Sequence, residues 1–187
     1  SIEKLSSFTL ALSSPTNAKL DKAFGRVSIV DDDTVVATPK LFARDAIVDE
    51  KAGTATVYVL LGGPNGTSSA SSVSVAFATA DVTGEATAGS DYASTSGTLT
   101  FSPRQTVRSI TVPITDDGEA ERAERFSVVL SSPSGATIAD GTATVTIGAS
   151  TESAIDQPGV SVGDAVVGEE DGWVDVPVTL SAPSATE

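Results

Sequence analysis

The sequence predicts an all-β chain, built as an antiparallel β-sandwich. Apolar residues alternate with Ser, Thr and other polar residues in short segments such as Val107–Ile114 and Phe126–Leu130, which is typical of strands with one buried face. Turn-forming Gly and Pro bound these segments, as in residues 62–66, and no stretch of useful length has the period of an amphipathic helix. Strands of this kind predict two sheets packed face to face.

Each predicted strand in the middle of the chain has apolar residues at every second position, so that they share one face of a sheet. In chain order these residues are Ala55, Val57, Val59 and Leu61; Val73, Val75 and Phe77; Leu99 and Phe101; Ile110, Val112 and Ile114; Phe126, Val128 and Leu130; and Ala143, Val145 and Ile147. The Gly- and Ala-rich segment 81–92 predicts an ordered loop.

Internal repeats define the domain organisation. Residues 8–29 match residues 126–147 without a gap at an offset of 118, and residues 39–64 match residues 158–183 at an offset of 119. Two independent windows with nearly one offset predict tandem repeats of about 118 residues.

The repeats divide the chain into four parts. Residues 1–35 form the C-terminal part of one repeat, 36–148 a complete repeat, 149–155 a small, polar linker, and 156–187 the N-terminal part of a following repeat. Because the end parts lack sheet partners of their own, we expect Phe8–Leu12 and Val174–Leu180 to pair with another copy or with each other through their exposed edges, or else to be poorly ordered.

Composition excludes several classes of function. A net charge of −14 opposes binding to nucleic acid and to anionic lipid, and no apolar run is long enough to span a membrane. The chain has no Cys and no His, so it lacks disulfides, soft metal ligands and the commonest general base. We therefore expect no enzymatic activity. Its carboxylates favour calcium or magnesium over zinc.

One acidic loop stands out between two predicted strands. Residues 116–124 hold five carboxylates in nine positions. Such crowding is tolerated when a divalent cation binds, since Ca²⁺ takes six to eight oxygen ligands. A solvated acidic turn, screened by salt, is the alternative.

Five segments of the middle repeat resemble the Calx-β motif: residues 79–81, 86–92, 96–101, 114–126 and 141–147. The resemblance covers the whole middle repeat and both end fragments. Calx-β domains are immunoglobulin-like sandwiches found in sodium/calcium exchangers, in an integrin subunit and in tandem arrays of large bacterial surface and secreted proteins. The resemblance therefore implies a repeat module that binds Ca²⁺ at one end of a sandwich.

The resemblance implies a set of Ca²⁺ ligands, obtained by carrying the family's ligand positions over to this sequence. They are the side chains of Glu50, Asp91, Asp116, Asp117, Glu121 and Glu124, with the backbone carbonyl of Glu119. The middle repeat departs from the family because Gly148 and the two residues after it replace an acidic run, which implies a partial site. The first repeat keeps that run as Asp31, Asp32 and Asp33 and has Glu3 at the position of Glu121, so it is a second candidate. In the third repeat Glu169 stands at the position of Glu50.

Other interpretations of the single residues remain open. Glu50 could be an ordinary turn acid, and Asp91 could cap a turn. Glu124 could form a surface ion pair with Arg122 or Arg125. We do not expect Asp81 and Glu85 to bind a metal ion. Both are expected to be solvated charges of a loop.

Two classes of function follow. The first is a calcium-binding structural or adhesive repeat of a large extracellular, secreted or cell-surface protein, in which Ca²⁺ braces loops at a repeat junction. The alternative is a module that recognises a protein or a glycan with calcium incidental, or a strand-exchanging subunit of an extracellular fibre. A calcium sensor ranks last.

Overall fold

The computed structural model describes residues 6–30, 34–62, 67–118, 123–148, 157–168, 174–180 and 184–185. Within these ranges the chain forms strands, and its one helical element is a short 3₁₀ turn at Glu50–Ala52. The strands are β1 (Ser6–Ala11), β2 (Lys19–Lys22), β3 (Phe24–Val30), β4 (Thr34–Val35), β5 (Lys40–Ala43), β6 (Ala46–Asp49), β7 (Thr54–Leu61), β8 (Thr67–Ser68), β9 (Val73–Asp81), β10 (Ser96–Phe101), β11 (Val107–Pro113), β12 (Glu124–Ser134), β13 (Thr137–Asp140), β14 (Thr142–Gly148), β15 (Gly159–Val162), β16 (Ala165–Gly168) and β17 (Val178–Leu180). No helix in the described part of the chain is long and apolar enough to cross a membrane.

The middle of the chain forms a β-sandwich. One sheet has the order β10-β9-β12-β14-β6, and the other has the order β11-β7-β5-β13. Their inner faces enclose one apolar core that includes Phe101, Phe126, Val57 and Val145, each 0% exposed. The predicted all-β sandwich is confirmed, since alternate residues of each strand enter this core as the two-residue period requires.

Each sheet also contains one parallel pair, which the sequence analysis did not foresee. Strand β14 pairs with β6 in parallel, and β13 pairs with β5 in parallel. The cause is that the first part of the repeat crosses from one sheet to the other between β5 and β6. Asp45 lies at this crossing, and its Oδ1 accepts a hydrogen bond from the Thr144 backbone N–H at 2.8 Å.

The two ends of the chain come together in two smaller sheets, with the orders β1-β3-β16 and β17-β15-β2. Each sheet contains strands from both ends, and we call the two sheets together the end assembly. The segment Phe8–Leu12 therefore pairs with β3, and residues 178–180 pair with β15. These two segments do not pair with each other.

Candidate metal centre

Three segments of the middle repeat meet at one end of the sandwich: the 3₁₀ turn after β6, the loop between β9 and β10, and the segment after β11. The Ile114 N–H donates to the Gly53 carbonyl at 2.9 Å, which joins the first segment to the third. The Thr115 N–H donates to the Asp91 carbonyl, also at 2.9 Å, which joins the third to the second. Backbone hydrogen bonds therefore bring distant acidic residues to one place.

Glu50 begins the 3₁₀ turn at the point where β6 ends. The Asp49 carboxylate caps this turn by accepting from the Lys51 N–H at 2.8 Å, and Gly53 closes it at φ 71°, a conformation that favours glycine. Glu50 is only 3% exposed, which is unusual for an ionisable side chain. The turn thus aims a carboxylate inward.

The charge around Glu50 is negative. Burial raises the pKa of Glu50, and the nearby carboxylates of Asp116, Asp117 and Asp91 raise it further. The Asp117 backbone N–H donates a hydrogen bond to the Glu50 carboxylate, and this bond lowers the pKa of Glu50. Four predicted ligands therefore interact with one another.

Asp91 is held by a closed turn and is 9% exposed. The Thr87 N–H donates to Asp91 Oδ2 at 2.6 Å, and the Asp91 N–H donates to the Thr87 carbonyl at 3.1 Å. The turn-capping alternative is thus observed. It does not compete with ligation, since an ionised carboxylate has about four lone-pair positions.

Glu124 lies at the start of β12, where it pairs with Ile147 of β14. Burial raises its pKa, and the charges of Asp91 and Glu85 raise it further. The alternative ion pair with Arg125 is not the one that forms, because Arg125 Nη2 contacts Glu85 Oε1 at 2.7 Å. Arg122, the other partner considered, lies outside the described residues. The charge of Asp91 acts on Glu124, which places it near the same acidic group.

Asp81 is exposed and Glu85 is partly exposed, as expected of loop charges, but each also bonds to a specific partner, which the sequence did not predict. Asp81 Oδ1 accepts from the Tyr92 hydroxyl at 2.5 Å and from the Ala88 N–H at 2.9 Å, and these bonds lower its pKa. The Tyr92 ring is buried and stacks on Phe126 with centroids 4.0 Å apart. Burial and the Asp81 contact raise the pKa of the Tyr92 hydroxyl. Asp81 and Tyr92 thus anchor the loop that carries Asp91, and these two residues stand in segments that resemble the Calx-β motif.

The remaining predicted ligands lie outside the described residues. They are Glu3, Asp31, Asp32, Asp33, Glu119 and Glu121, together with Glu169 of the third repeat. Their assignment stays a prediction.

The described acids form a loose group. Within the described ranges, no three Asp or Glu side chains are arranged tightly enough to hold an ion as they stand. The donor set nevertheless fits a hard divalent cation, since it consists of carboxylate oxygens. Glu50 and Asp91 are buried, whereas Asp116 and Asp117 are exposed. The arrangement suits Ca²⁺ chemically.

The chain resembles solved structures of Calx domains, one of which is described as a calcium binding domain. The chain resembles the apo form of the Calx CBD1 domain with 29% identity and a TM-score of 0.52, over 59% of this chain and 96% of that one. It also resembles the calcium binding domain CBD12 of CALX1.1 with 28% identity and a TM-score of 0.54, over 60% of this chain. The match spans 46% of that second structure.

The family assignment agrees with the structural likeness. Among curated proteins, none matches the chain at a significant level. The model of the Calx-beta domain family matches residues 31–151, which is more than half of the chain and contains all of the described predicted ligands. The chain therefore belongs to the Calx-beta domain family.

Proposed function

We propose that the middle repeat binds Ca²⁺ and acts as a calcium-braced structural module. The ligands are Glu50, Asp91, Asp116, Asp117 and Glu124, joined by Glu119 and Glu121. The observation that carries the proposal is the inward-facing carboxylate of Glu50, 3% exposed and surrounded by the charges of Asp116, Asp117 and Asp91. A buried carboxylate among like charges costs free energy unless a cation compensates it.

The bound ion would attract the carboxylates at this end of the sandwich, which otherwise repel one another. Each of the three converging segments would then be tied to the others through oxygen ligands as well as through backbone hydrogen bonds. Asp49 pairs with Gly148, so the site lies beside the point where the last strand of the repeat ends and the linker begins. This position supports a role in bracing a repeat junction.

The wider role is that of a structural or adhesive repeat in an extracellular or cell-surface protein. The tandem organisation and the acidic composition support this role. Millimolar Ca²⁺ outside cells would fill even a site in the roughly 10⁻⁴–10⁻³ M range of extracellular modules. No catalytic step is proposed.

Thermal melting of the whole chain tests calcium binding. An ion that binds only the folded state adds about 1.4 kcal/mol at 10 times Kd, and for a chain of this size that shifts the melting point by roughly 3–6 °C. Mg²⁺ should substitute poorly, because it retains its water ligands and needs a tighter octahedron. The proposal fails if the chain melts at the same temperature in chelator and in millimolar Ca²⁺.

The double variant Asp116→Asn with Asp117→Asn locates the site. It removes two charges from the acidic segment after β11 while keeping the size of the side chains. We expect it to lose most of the calcium-dependent shift. A full shift in this variant would assign the ligands elsewhere.

The alternative function is a module that recognises a protein or a glycan. Small-angle scattering separates the two, because bracing requires the chain to become stiffer when Ca²⁺ is added. Unchanged scattering together with binding on a glycan or protein array would favour recognition.

A further inference from the structure

The outward residues of the five-stranded sheet of the middle repeat are mostly small or polar. Thr98 of β10, Ser127 of β12 and Thr144 of β14 are examples, and each alternates with residues that enter the core. This pattern is expected of an antiparallel face in contact with water. A single apolar residue such as Val129, 38% exposed, is ordinary on such a face.

The other sheet differs, because a row of apolar side chains crosses its outer face. Phe42 of β5 stands opposite Leu60 of β7, and Leu60 stands opposite Val107 of β11. Tyr58 lies two positions before Leu60, on the same face. Val59, between them, enters the core, so these four residues face away from it and form a separate cluster. We call Phe42, Tyr58, Leu60 and Val107 the outer row.

The third repeat covers the outer row. Val166 of β16 packs on it and is itself buried, while Leu60 is 1% exposed beneath this contact. Beside the contact lies a cavity of about 340 Å³, whose lining includes Val107 together with Val166, Val167 and Val174. The covering valines all belong to residues 156–187, so the contact joins the middle repeat to the repeat that follows it.

The outer row is not a general property of these repeats. At the offset of 119, the positions of Phe42, Tyr58 and Leu60 are filled in the third repeat by Ser161, Pro177 and Thr179. The inward positions of the same strands are apolar in both repeats. The core therefore requires apolar residues in each repeat, whereas the apolar outer face serves a purpose that is specific to the middle repeat.

We propose that the outer row is the surface through which the middle repeat holds the following repeat, with β16 as the segment that docks on it. An apolar row of this size would be unfavourable in water, and covering it stabilises the docked arrangement. The linker of residues 149–155 keeps the two repeats at a high effective concentration, so a small apolar contact is sufficient to order them.

This contact contains none of the proposed calcium ligands. It would therefore fix the orientation of the two repeats with or without the ion, which goes beyond the calcium-braced role proposed above. The middle and third repeats form one rigid pair in this arrangement. The third repeat, with Ser161 and Thr179 on the equivalent face, would not hold another repeat in the same way.

NMR spectroscopy of the whole chain in chelator tests the proposal independently of calcium. We expect nuclear Overhauser contacts between the methyl groups of Val107 and Val166, and one common rotational correlation time for both repeats from amide relaxation. The double variant Phe42→Ser with Leu60→Thr places the residues of the third repeat in the outer row. It should lose these contacts and give the third repeat a shorter correlation time than the middle repeat.

Two further variants complete the test. Val129→Thr makes a similar change on the outer face of the other sheet and should leave the contacts and the common correlation time unchanged. Val166→Asp places a charge against the outer row from the opposite side, and it should separate the two correlation times without altering the middle repeat.

The amide of Val145, in the core of the middle repeat, reports whether that repeat remains folded in each variant. If the double variant unfolds it, Val166→Asp decides the outcome. The absence of Val107–Val166 contacts in the parent chain would overturn the proposal. A common correlation time that persists in Val166→Asp would overturn it as well.

Discussion

The middle repeat and the end assembly form matching strand pairs, yet several of those pairs bury their apolar side chains to different extents. Phe126 is fully buried and stacks on Tyr92, while Phe8 at the same position is half exposed. The difference teaches that register is encoded within the strands themselves. Burial depends on β9 to β11, which only the middle repeat has among the described residues.

The largest expected effect concerns these two phenylalanines. Phe126→Ala should destabilise the middle repeat by about 3–5 kcal/mol, because it opens a cavity in a closed core and removes the stacked ring. Phe8→Ala should cost the end assembly less than about 1 kcal/mol, because much of its ring is already in water.

Urea unfolding followed by NMR measures both, with the Val145 and Val27 amides as probes of the two regions. Similar losses of stability in the two variants would mean that the end assembly buries Phe8 in solution and would contradict the comparison.

The sequence predicted this architecture where apolar alternation was strong. The strands around Val57, Val75, Ile110 and Phe126 lie where alternation placed them, because six or more alternating residues define a face without ambiguity. The repeat offsets of 118 and 119 also match the recurrence of strand pairs.

The shortest strands could not be predicted in the same way. Strands β5, β6 and β13 are each four residues long, too short for a two-residue period to be distinguished from a loop. The change of sheet between β5 and β6 depends on the Asp45 contact with Thr144, 99 residues away in sequence. Local patterns carry no information about such a contact.

The candidate site was predicted only in part. Glu50, Asp91, Asp116, Asp117 and Glu124 were proposed from the family resemblance, and the structure brings them to one end of the sandwich. The supports of the loop were missed. Asp81 and Glu85 looked like surface charges because their partners, Tyr92 and Arg125, are identified only when the sheet forms.

A smaller effect is expected at the two matched aspartates. Asp45→Ala and Asp164→Ala each remove the acceptor of a backbone N–H at the same point of the fold. Each should cost about 0.5–1.5 kcal/mol in its own region, as expected for one hydrogen bond at an exposed position.

The same NMR-detected urea titrations test this pair. The structural equivalence predicts that each variant destabilises the region that contains it and leaves the other region unchanged. A cost for Asp45→Ala alone would indicate that the end assembly does not form its contact in solution.

The smallest expected effect is the change in stability with pH, measured in chelator. The two regions should respond to acidification differently. The pKa values of Glu50 and Glu124 are raised in the folded middle repeat, above the ordinary value near 4.5. As pH rises from that value through the folded pKa, the unfolded chain ionises first and the folded state loses stability. Acidification from pH 7 to about pH 5 should therefore stabilise the middle repeat.

The end assembly should not gain in this way. Burial opposes the ionisation of Asp164, but the Arg26 N–H and the Lys22 ammonium hold its pKa below the ordinary value. Its contribution to stability is present above the unfolded value near 3.8 and is lost only as pH falls through the folded pKa. Urea titrations at the two pH values check the difference, and a middle repeat that is less stable at about pH 5 than at pH 7 would contradict the assigned shifts.

Isothermal titration of Ca²⁺ into the whole chain tests the central claim most directly, with Glu50→Gln as the variant and Asp164→Asn as its matched control. Both changes neutralise one carboxylate, but only Glu50 lies among the proposed ligands. The account predicts saturable binding by the parent chain and by Asp164→Asn, and at least about tenfold weaker binding by Glu50→Gln, since a buried ligand charge is lost. The absence of calcium binding by the parent chain, or equal affinity in Glu50→Gln, would contradict it.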